Sequence, residues 1–453
     1  MADNRKRDAF TVRQTNIQYF DLNHRKSTKL TDMNCDCIGQ ILQKLNVEDL
    51  ISAAETNQKL KFVTDMAFYA KYRNNKFMLN APPLDRLVEF TNSFAEHQKI
   101  IIKSTELTTK LIRIFGHHIS MVEVWGRGLK IDTDFNEIEQ YIQKYCLESL
   151  TSFVAINYPD NVLCNLKGTF KNVENICFGG ARFNTKLTER IRQVFPNVRV
   201  MQFQSVKIEP SVFKINNFPN MEHLRMDISD GDRLTTRSIR SAIVSNPNLQ
   251  KIDLYEHFEA ETYEFIAREL PNLRALTIYY STWHFEHFKG TPIRYKCVED
   301  LSFFWNNDDD VDFVEPKPGA VFSFDRLKEV YIACWAGHVN SLVQFANANP
   351  TIEKITLNVN IVDGLLPSIG KELARYSALR QNRVEILLNV ESNDMTVAET
   401  LNFLKANQYL AKFSMNCNSL EEMETLRTSI TPPWKTTEFL TFAKMIIFEK
   451  SLV

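Results

Sequence analysis

The sequence predicts an α/β fold: a repeat solenoid with a curved parallel sheet inside and helices outside, preceded by a small all-α module. Three observations predict it. A strand-like pattern, apolar-x-x-apolar-x-apolar, recurs along most of the 453 residues. Between its copies the apolar residues switch to helical spacing. Many of the helical stretches stop at a Pro-Asn pair, as at Pro196-Asn197, Pro219-Asn220, Pro247-Asn248 and Pro271-Asn272.

The strand pattern is carried first by Ile119/Val122/Val124, Val173/Ile176/Phe178, Val198/Met201/Phe203, Met221/Leu224/Met226 and Leu249/Ile252/Leu254. It continues in Leu273/Leu276/Ile278, Val298/Leu301/Phe303, Leu327/Val330/Ile332, Ile352/Ile355/Leu357 and Leu410/Phe413/Met415. Weaker copies stand near Leu150 and Val384–Leu388. From 173 the starts fall at 198, 221, 249, 273, 298, 327 and 352, so the gaps are 25, 23, 28, 24, 25, 29 and 25. Helices are expected over Thr188–Phe195, Thr236–Ser245, Ala260–Leu270, His338–Ala348 and Val397–Ala406. Proline ends them because it has no N–H to continue the helix and disfavours helical geometry in the residue before it. One repeat buries three large apolar side chains, each worth about 1.5–3 kcal/mol. That does not offset an ordering cost of about 1–2 kcal/mol per residue, so the repeats must stack and share a core.

This period is similar to that of leucine-rich repeats, each supplying one strand and one helix. The asparagine that such repeats carry after the strand stands here as Asn306, Asn360 and Asn418. Elsewhere the position holds Val206, Ser229, His257, Ser281 or Trp335, so the array is expected to be irregular.

Ahead of the repeats, Cys37, Ile38, Ile41, Leu42 and Leu45 lie on one face of a first helix. Asn46 caps a second, with Asp49 three residues on and Leu50, Ala53 and Ala54 on its buried side. Leu60, Val63, Met66 and Phe68 line a third. The segment resembles an F-box: Leu30 and Asp32 at the start, Ile41-Leu42-x-x-Leu45, Glu48-Asp49-Leu50, Asn57-Gln58-Lys59-Leu60 and Phe68–Tyr72. The resemblance covers about 45 residues and implies docking to a Skp-type adaptor, and through it to a cullin ubiquitin ligase. The docking surface it implies includes Leu30, Ile38, Ile41, Leu42, Leu45 and Leu50. The organisation expected is a tail over 1–29, the F-box-like module over 30–75 and a linker with the solenoid N-cap over 76–116. The repeats follow over 117–430 and a C-terminal cap over 431–453.

Residues between the apolar positions of a strand point away from the core, onto the concave face. Tyr255, Tyr279, Phe304 and Tyr331, read as the position after the third apolar residue in four consecutive repeats, are expected to form one aromatic stripe. Trp283, Trp305 and Trp335 follow the same strands. With Arg225, Asp253, Arg274 and Lys328 nearby, this stripe is the expected surface for an unidentified target protein, since aromatic side chains dominate the energetics of interfaces.

Other classes are disfavoured. The net charge is -1, with 54 basic and 55 acidic side chains, and a nucleic-acid binder would carry a basic excess. The sequence has no long uninterrupted apolar run to cross a membrane, and MADNRKRDAF lacks the apolar core of a signal peptide. The eight scattered cysteines point to a reducing compartment, cytoplasmic or nuclear. Cys35 and Cys37 diverge around a helix, the His284–His287 run lacks metal spacing, and Cys334 and His338 stand alone, so no metal is expected. The acidic loop 306–312 lacks the glycine of a calcium loop. No phosphate-binding loop, nucleophile elbow or zinc-protease motif occurs, so neither cofactor nor intrinsic catalysis is expected. A ligase substrate receptor and a repeat scaffold or inhibitor without a ubiquitin role are the two classes left.

Overall fold

A computed structural model of the chain describes residues 33–82, 98–127, 132–159, 161–180, 182–208, 218–228, 236–280, 290–305, 318–335, 339–360, 366–380, 384–390, 396–417, 419–440 and 445–450. Leu30, Trp283, the His284–His287 run, the acidic loop 306–312 and the turn asparagines Asn306 and Asn418 lie outside them. The chain divides into two compact units, Met1–Lys71 and Tyr72–Val453.

The first unit holds three helices, α1 (Cys35–Leu42), α2 (Val47–Thr56) and α3 (Gln58–Tyr72). Asn34 and Asn46 accept from the N–H groups of Asp36 and Asp49 and so satisfy donors that the first turns of α1 and α2 leave open. Ile38, Leu42, Leu50, Ile51, Leu60, Val63 and Phe68 are buried at 6 % exposure or less. Lys71 Nζ donates to the Leu45 carbonyl at 2.7 Å, and Lys59 Nζ to that of Met33 at 3.0 Å, which ties α3 to both ends of α1.

The second unit is built on one long sheet. Its first strands are β1 (Lys76–Leu79), β2 (Lys99–Ile102), β3 (Met121–Trp125), β4 (Ser152–Ile156), β5 (Asn175–Gly179), β6 (Arg182–Phe183) and β7 (Val200–Ile208). The middle strands are β8 (His223–Ile228), β9 (Lys251–His257), β10 (Ala275–Tyr280), β11 (Ile293–Tyr295), β12 (Asp300–Trp305), β13 (Phe322–Phe324) and β14 (Glu329–Trp335), of which β11 and β13 stand apart from the long sheet and pair parallel with each other. The last are β15 (Lys354–Asn360), β16 (Glu385–Val390), β17 (Lys412–Asn416), β18 (Trp434–Leu440) and β19 (Met445–Lys450). Pairing is parallel from β3 through β4, β5, β7, β8, β9, β10, β12, β14, β15 and β16 to β17. At the start β1 lies between β2 and β3, and at the end β19 and β18 add an antiparallel hairpin. This mixed α/β arrangement, one principal parallel strand per repeat, is compatible with an α/β solenoid.

All residues of the ten apolar triples are buried, none more than 3 % exposed. On that face the helices pack: Phe345 of the helix Val339–Ala348 lies 6.3 Å from Phe303, and Phe403 of Val397–Ala406 lies 5.2 Å from Phe413. Helices Thr236–Ser245 and Val397–Ala406 have the bounds that the spacing predicts, while Thr133–Tyr145, Leu366–Leu379 and Leu420–Ser429 were not anticipated. None of the described helices is long and apolar enough to cross a membrane.

The asparagines that knit the repeats together sit before the strands. Asn246, 3 % exposed, donates to the Ala242 carbonyl at 2.7 Å and accepts from Phe218 N–H at 2.8 Å, so it closes one helix and bonds the preceding repeat. Asn349 does the same with Phe345 and Phe324. Asn360, at the position where leucine-rich repeats carry theirs, is exposed. The asparagine of the Pro-Asn pair has a job as well. Asn197 donates to the Lys171 carbonyl and Asn248 to that of Pro219, each at 2.9 Å.

Candidate functional site

The two faces of a parallel strand alternate, so the residues flanking the buried triples form the open face away from the helices. In β10 and β12, Thr277 pairs with Ser302 and Tyr279 with Phe304 on that face. The rings of Tyr279 and Phe304 stack, with centroids 4.9 Å apart and planes at 13°. Tyr255 lies 5.7 Å from Tyr279, and the Arg225 guanidinium sits 4.4 Å above the Tyr255 ring as a cation–π contact. Tyr331 lies 5.6 Å from Phe304, and Asn358 Nδ2 donates to its hydroxyl at 3.2 Å. A ladder of one cation, four rings and one amide thus crosses six strands, from β8 to β15. All four rings are half-buried, and burial pushes the hydroxyls of Tyr255 and Tyr279 above the ordinary tyrosine range.

The structure brings Arg225, Tyr255, Tyr279, Phe304 and Tyr331 together and places Asp253, Arg274 and Lys328 elsewhere. Tyr331 does not follow the third apolar residue of its repeat. It stands between Val330 and Ile332, opposite Ser302, and reaches Phe304 diagonally, whereas Ala333 faces Phe304 directly. Asp253 is no docking residue. It is 4 % exposed and bound to His223 Nε2 and Thr277 Oγ1, each at 2.6 Å, with Lys251 Nζ at 3.4 Å. Burial opposes its ionisation, but the hydrogen bond and charge of His223, with Lys251 and Thr277, outweigh it and hold the carboxyl below its usual value. Arg274 and Lys328 precede β10 and β14, at the opposite end of the strands from the rings. A strand rises about 3.3 Å per residue, so five residues separate Arg274 from Tyr279 by roughly 16 Å. Lys328 is paired instead with Glu299 at 3.0 Å. Trp305 and Trp335 end β12 and β14, but their side chains lie outside the described residues.

Arg274 lines a polar groove of about 1150 Å³, formed by the Pro-Asn turns and by charges of both signs, among them Arg199, Glu222, Glu299 and Arg326. Arg199 bridges Glu222 at 2.7 Å and Glu174 at 3.5 Å. Exposed pairs of this kind contribute little to stability.

In the first unit the expected docking residues divide. Ile38, Leu42 and Leu50 are core, no more than 1 % exposed, because so small a module has few other residues to fill its interior. A partner cannot touch them while the module is folded. Leu45 is half-buried and Ile41 is 43 % exposed. Met66, expected inside, is 59 % exposed, and with Phe62 at 64 % and Tyr69 at 45 % it makes an apolar stripe down the outside of α3. Positions i, i+4 and i+7 share one helix face, so the stripe is a continuous surface that composition alone does not reveal.

The comparisons add no relative. No protein-family model matches the chain, and no curated protein matches it.

Proposed function

We propose that the protein is the substrate-recognition subunit of a Skp-cullin-F-box type ubiquitin ligase, with a divergent F-box docking the adaptor and leucine-rich repeats holding a target protein. The observation that carries the docking half is the stripe of Phe62, Met66 and Tyr69 on a module whose own core is already filled. Large apolar side chains exposed along one helix lose their hydration cost only when a partner covers them. The aromatic ladder supports the second half. Half-buried rings stacked across parallel strands form a rigid platform, and such a platform binds with little loss of side-chain entropy. The transfer chemistry then belongs to other subunits, and this chain raises the local concentration of its target beside the charged ubiquitin carrier.

The test is capture of a purified Skp-type adaptor by the full chain, natural and with Phe62→Glu and Met66→Glu. Both positions face solvent, so the charges leave the module folded, as helical circular dichroism checks. Binding by the natural chain and its loss in the variant is the expected result. A folded natural chain that captures no adaptor sinks the proposal.

A further inference from the structure

The aromatic ladder is closed at one end. Val154, Ile156 and Cys177 of β4 and β5 lie on the same face of the sheet as Arg225 and Tyr255, yet none is more than 2 % exposed. Ile156 lies so tightly over Gly179 that a Cβ there would come within 2.7 Å of its Cδ1. The next strand, β7, carries Gln202 and Gln204, each 7 % exposed with a buried amide oxygen that has no partner. Then comes β8 with Arg225, paired in register with Gln202, and Asp227, paired with Gln204. Arg225 rests on the Tyr255 ring and forms no ion pair among the described residues. Asp227 likewise makes no hydrogen bond or ion pair among the described residues, and burial pushes its carboxyl up despite the nearby guanidinium.

We propose that this closed end takes the free C-terminal carboxylate of an extended target peptide, whose last side chains lie on the rings of Tyr255, Tyr279 and Phe304. The inference rests on the reading of the open face as the target surface, and not on adaptor docking. A half-buried guanidinium whose fork pairs directly with no carboxylate among the described residues, Asp227 acting on it only through space, favours an anion. Its planar fork matches a carboxylate with two parallel hydrogen bonds, made stronger by the partly desolvated floor. The closed end decides which carboxylate. An internal aspartate or glutamate needs its backbone to run on past Arg225, and among the described residues the buried side chains of β4 and β5 leave no groove for it. A chain terminus needs none. Asp227, two residues beyond Arg225 on the same strand, is placed to accept the N–H of the last residue. Gln202 and Gln204 flank this end on the neighbouring strand, in register with Arg225 and Asp227. From β8 to β14 the ladder crosses four strand spacings of ~4.8 Å, which about six extended residues span.

The experiment uses the full chain and two arrays of six-residue peptides rich in aromatic and aliphatic residues, tethered by their N-termini. The arrays are identical except that one ends in a free carboxylate and the other in a carboxamide. The carboxylate array is expected to retain the natural chain about ten-fold or more better. Arg225→Gln removes the difference in a chain that stays folded, as circular dichroism checks, and Arg225→Lys, which keeps the charge but not the fork, keeps part of it. Equal retention on both arrays, no retention on either, or an Arg225→Gln variant that still discriminates overturns the proposal. Retention of carboxamide peptides through an internal acidic residue overturns the assignment to a terminus. Adaptor capture is measured on the same preparations. Adaptor bound without carboxylate preference sinks this inference alone, and carboxylate preference without adaptor sinks the ligase reading alone.

Discussion

Tyr279 stacks on Phe304 because the two residues are direct partners in the parallel register of β10 and β12, which holds their rings 4.9 Å apart. The contact is therefore part of the sheet's own stability as well as a surface for a ligand. Truncating both to alanine in a double-mutant cycle should reveal a coupling of about 0.5–1.5 kcal/mol, read from urea denaturation. Ala333 offers no ring opposite Phe304, so the same cycle between Phe304 and Ala333→Gly should show no coupling. Equal couplings in the two cycles would mean that the stacking contributes nothing beyond its area.

Asp253 predicts an acid limb in the stability curve. Its carboxyl is held below the ordinary value, so the unfolded chain binds a proton before the folded one does. Its contribution is complete above the unfolded pKa and is lost as pH falls through the folded one. Asp253→Asn should lower stability near neutral pH by about 1–3 kcal/mol and flatten that limb. A variant with an unchanged pH profile would show that His223 and Lys251 do not stabilise the charged form.

The repeats were legible in the sequence because their cause is local. Three apolar residues at strand spacing and a proline before many of the restarts are set by neighbours in the chain. The site was legible only in part, because its geometry is set between strands. Asp253 looks like any surface acid until the register brings His223 and Thr277 beside it from strands 30 and 24 residues away. Arg274 and Lys328 are close to the rings in sequence, but that separation runs along the strand and places them on the far rim. Helix α3 carries apolar residues on two faces. Periodicity gives no reason why Leu60 and Val63 turn inward while Phe62 and Met66 stay outside.

Glu139 predicts the opposite slope. It lies in the helix Thr133–Tyr145, fully buried, with one oxygen accepting from Leu163 N–H at 2.7 Å and the other without a partner. Burial pushes its carboxyl up to about 8, against the Leu163 hydrogen bond and the Arg190 charge. Between the unfolded value and about 8 the folded chain holds a proton that the unfolded chain has lost, so stability falls as pH rises, by about 1.4 kcal/mol per pH unit from this group. Glu139→Gln, neutral at every pH, should remove that fall and melt above the natural chain at pH 8. A variant that melts lower at pH 8 would mean that the carboxyl is charged in the fold.

Two asparagines two residues apart should differ sharply in their cost of removal. Asn246 is buried and satisfies two backbone groups, the Phe218 N–H and the Ala242 carbonyl. Alanine leaves both unpaired away from water, and an orphaned buried group costs about 1–3 kcal/mol. Asn248 is exposed and makes one bond, to the Pro219 carbonyl, which water replaces when the side chain is gone. Asn246→Ala should therefore lose about 2–3 kcal/mol and Asn248→Ala within about 0.5 kcal/mol, both read from denaturant midpoints at constant slope. Asn349, with an equivalent pair of backbone partners four repeats further along, should behave as Asn246 does. Equal losses at 246 and 248 would mean that the exposed amide on the rim, rather than the buried one closing the helix, holds successive repeats together.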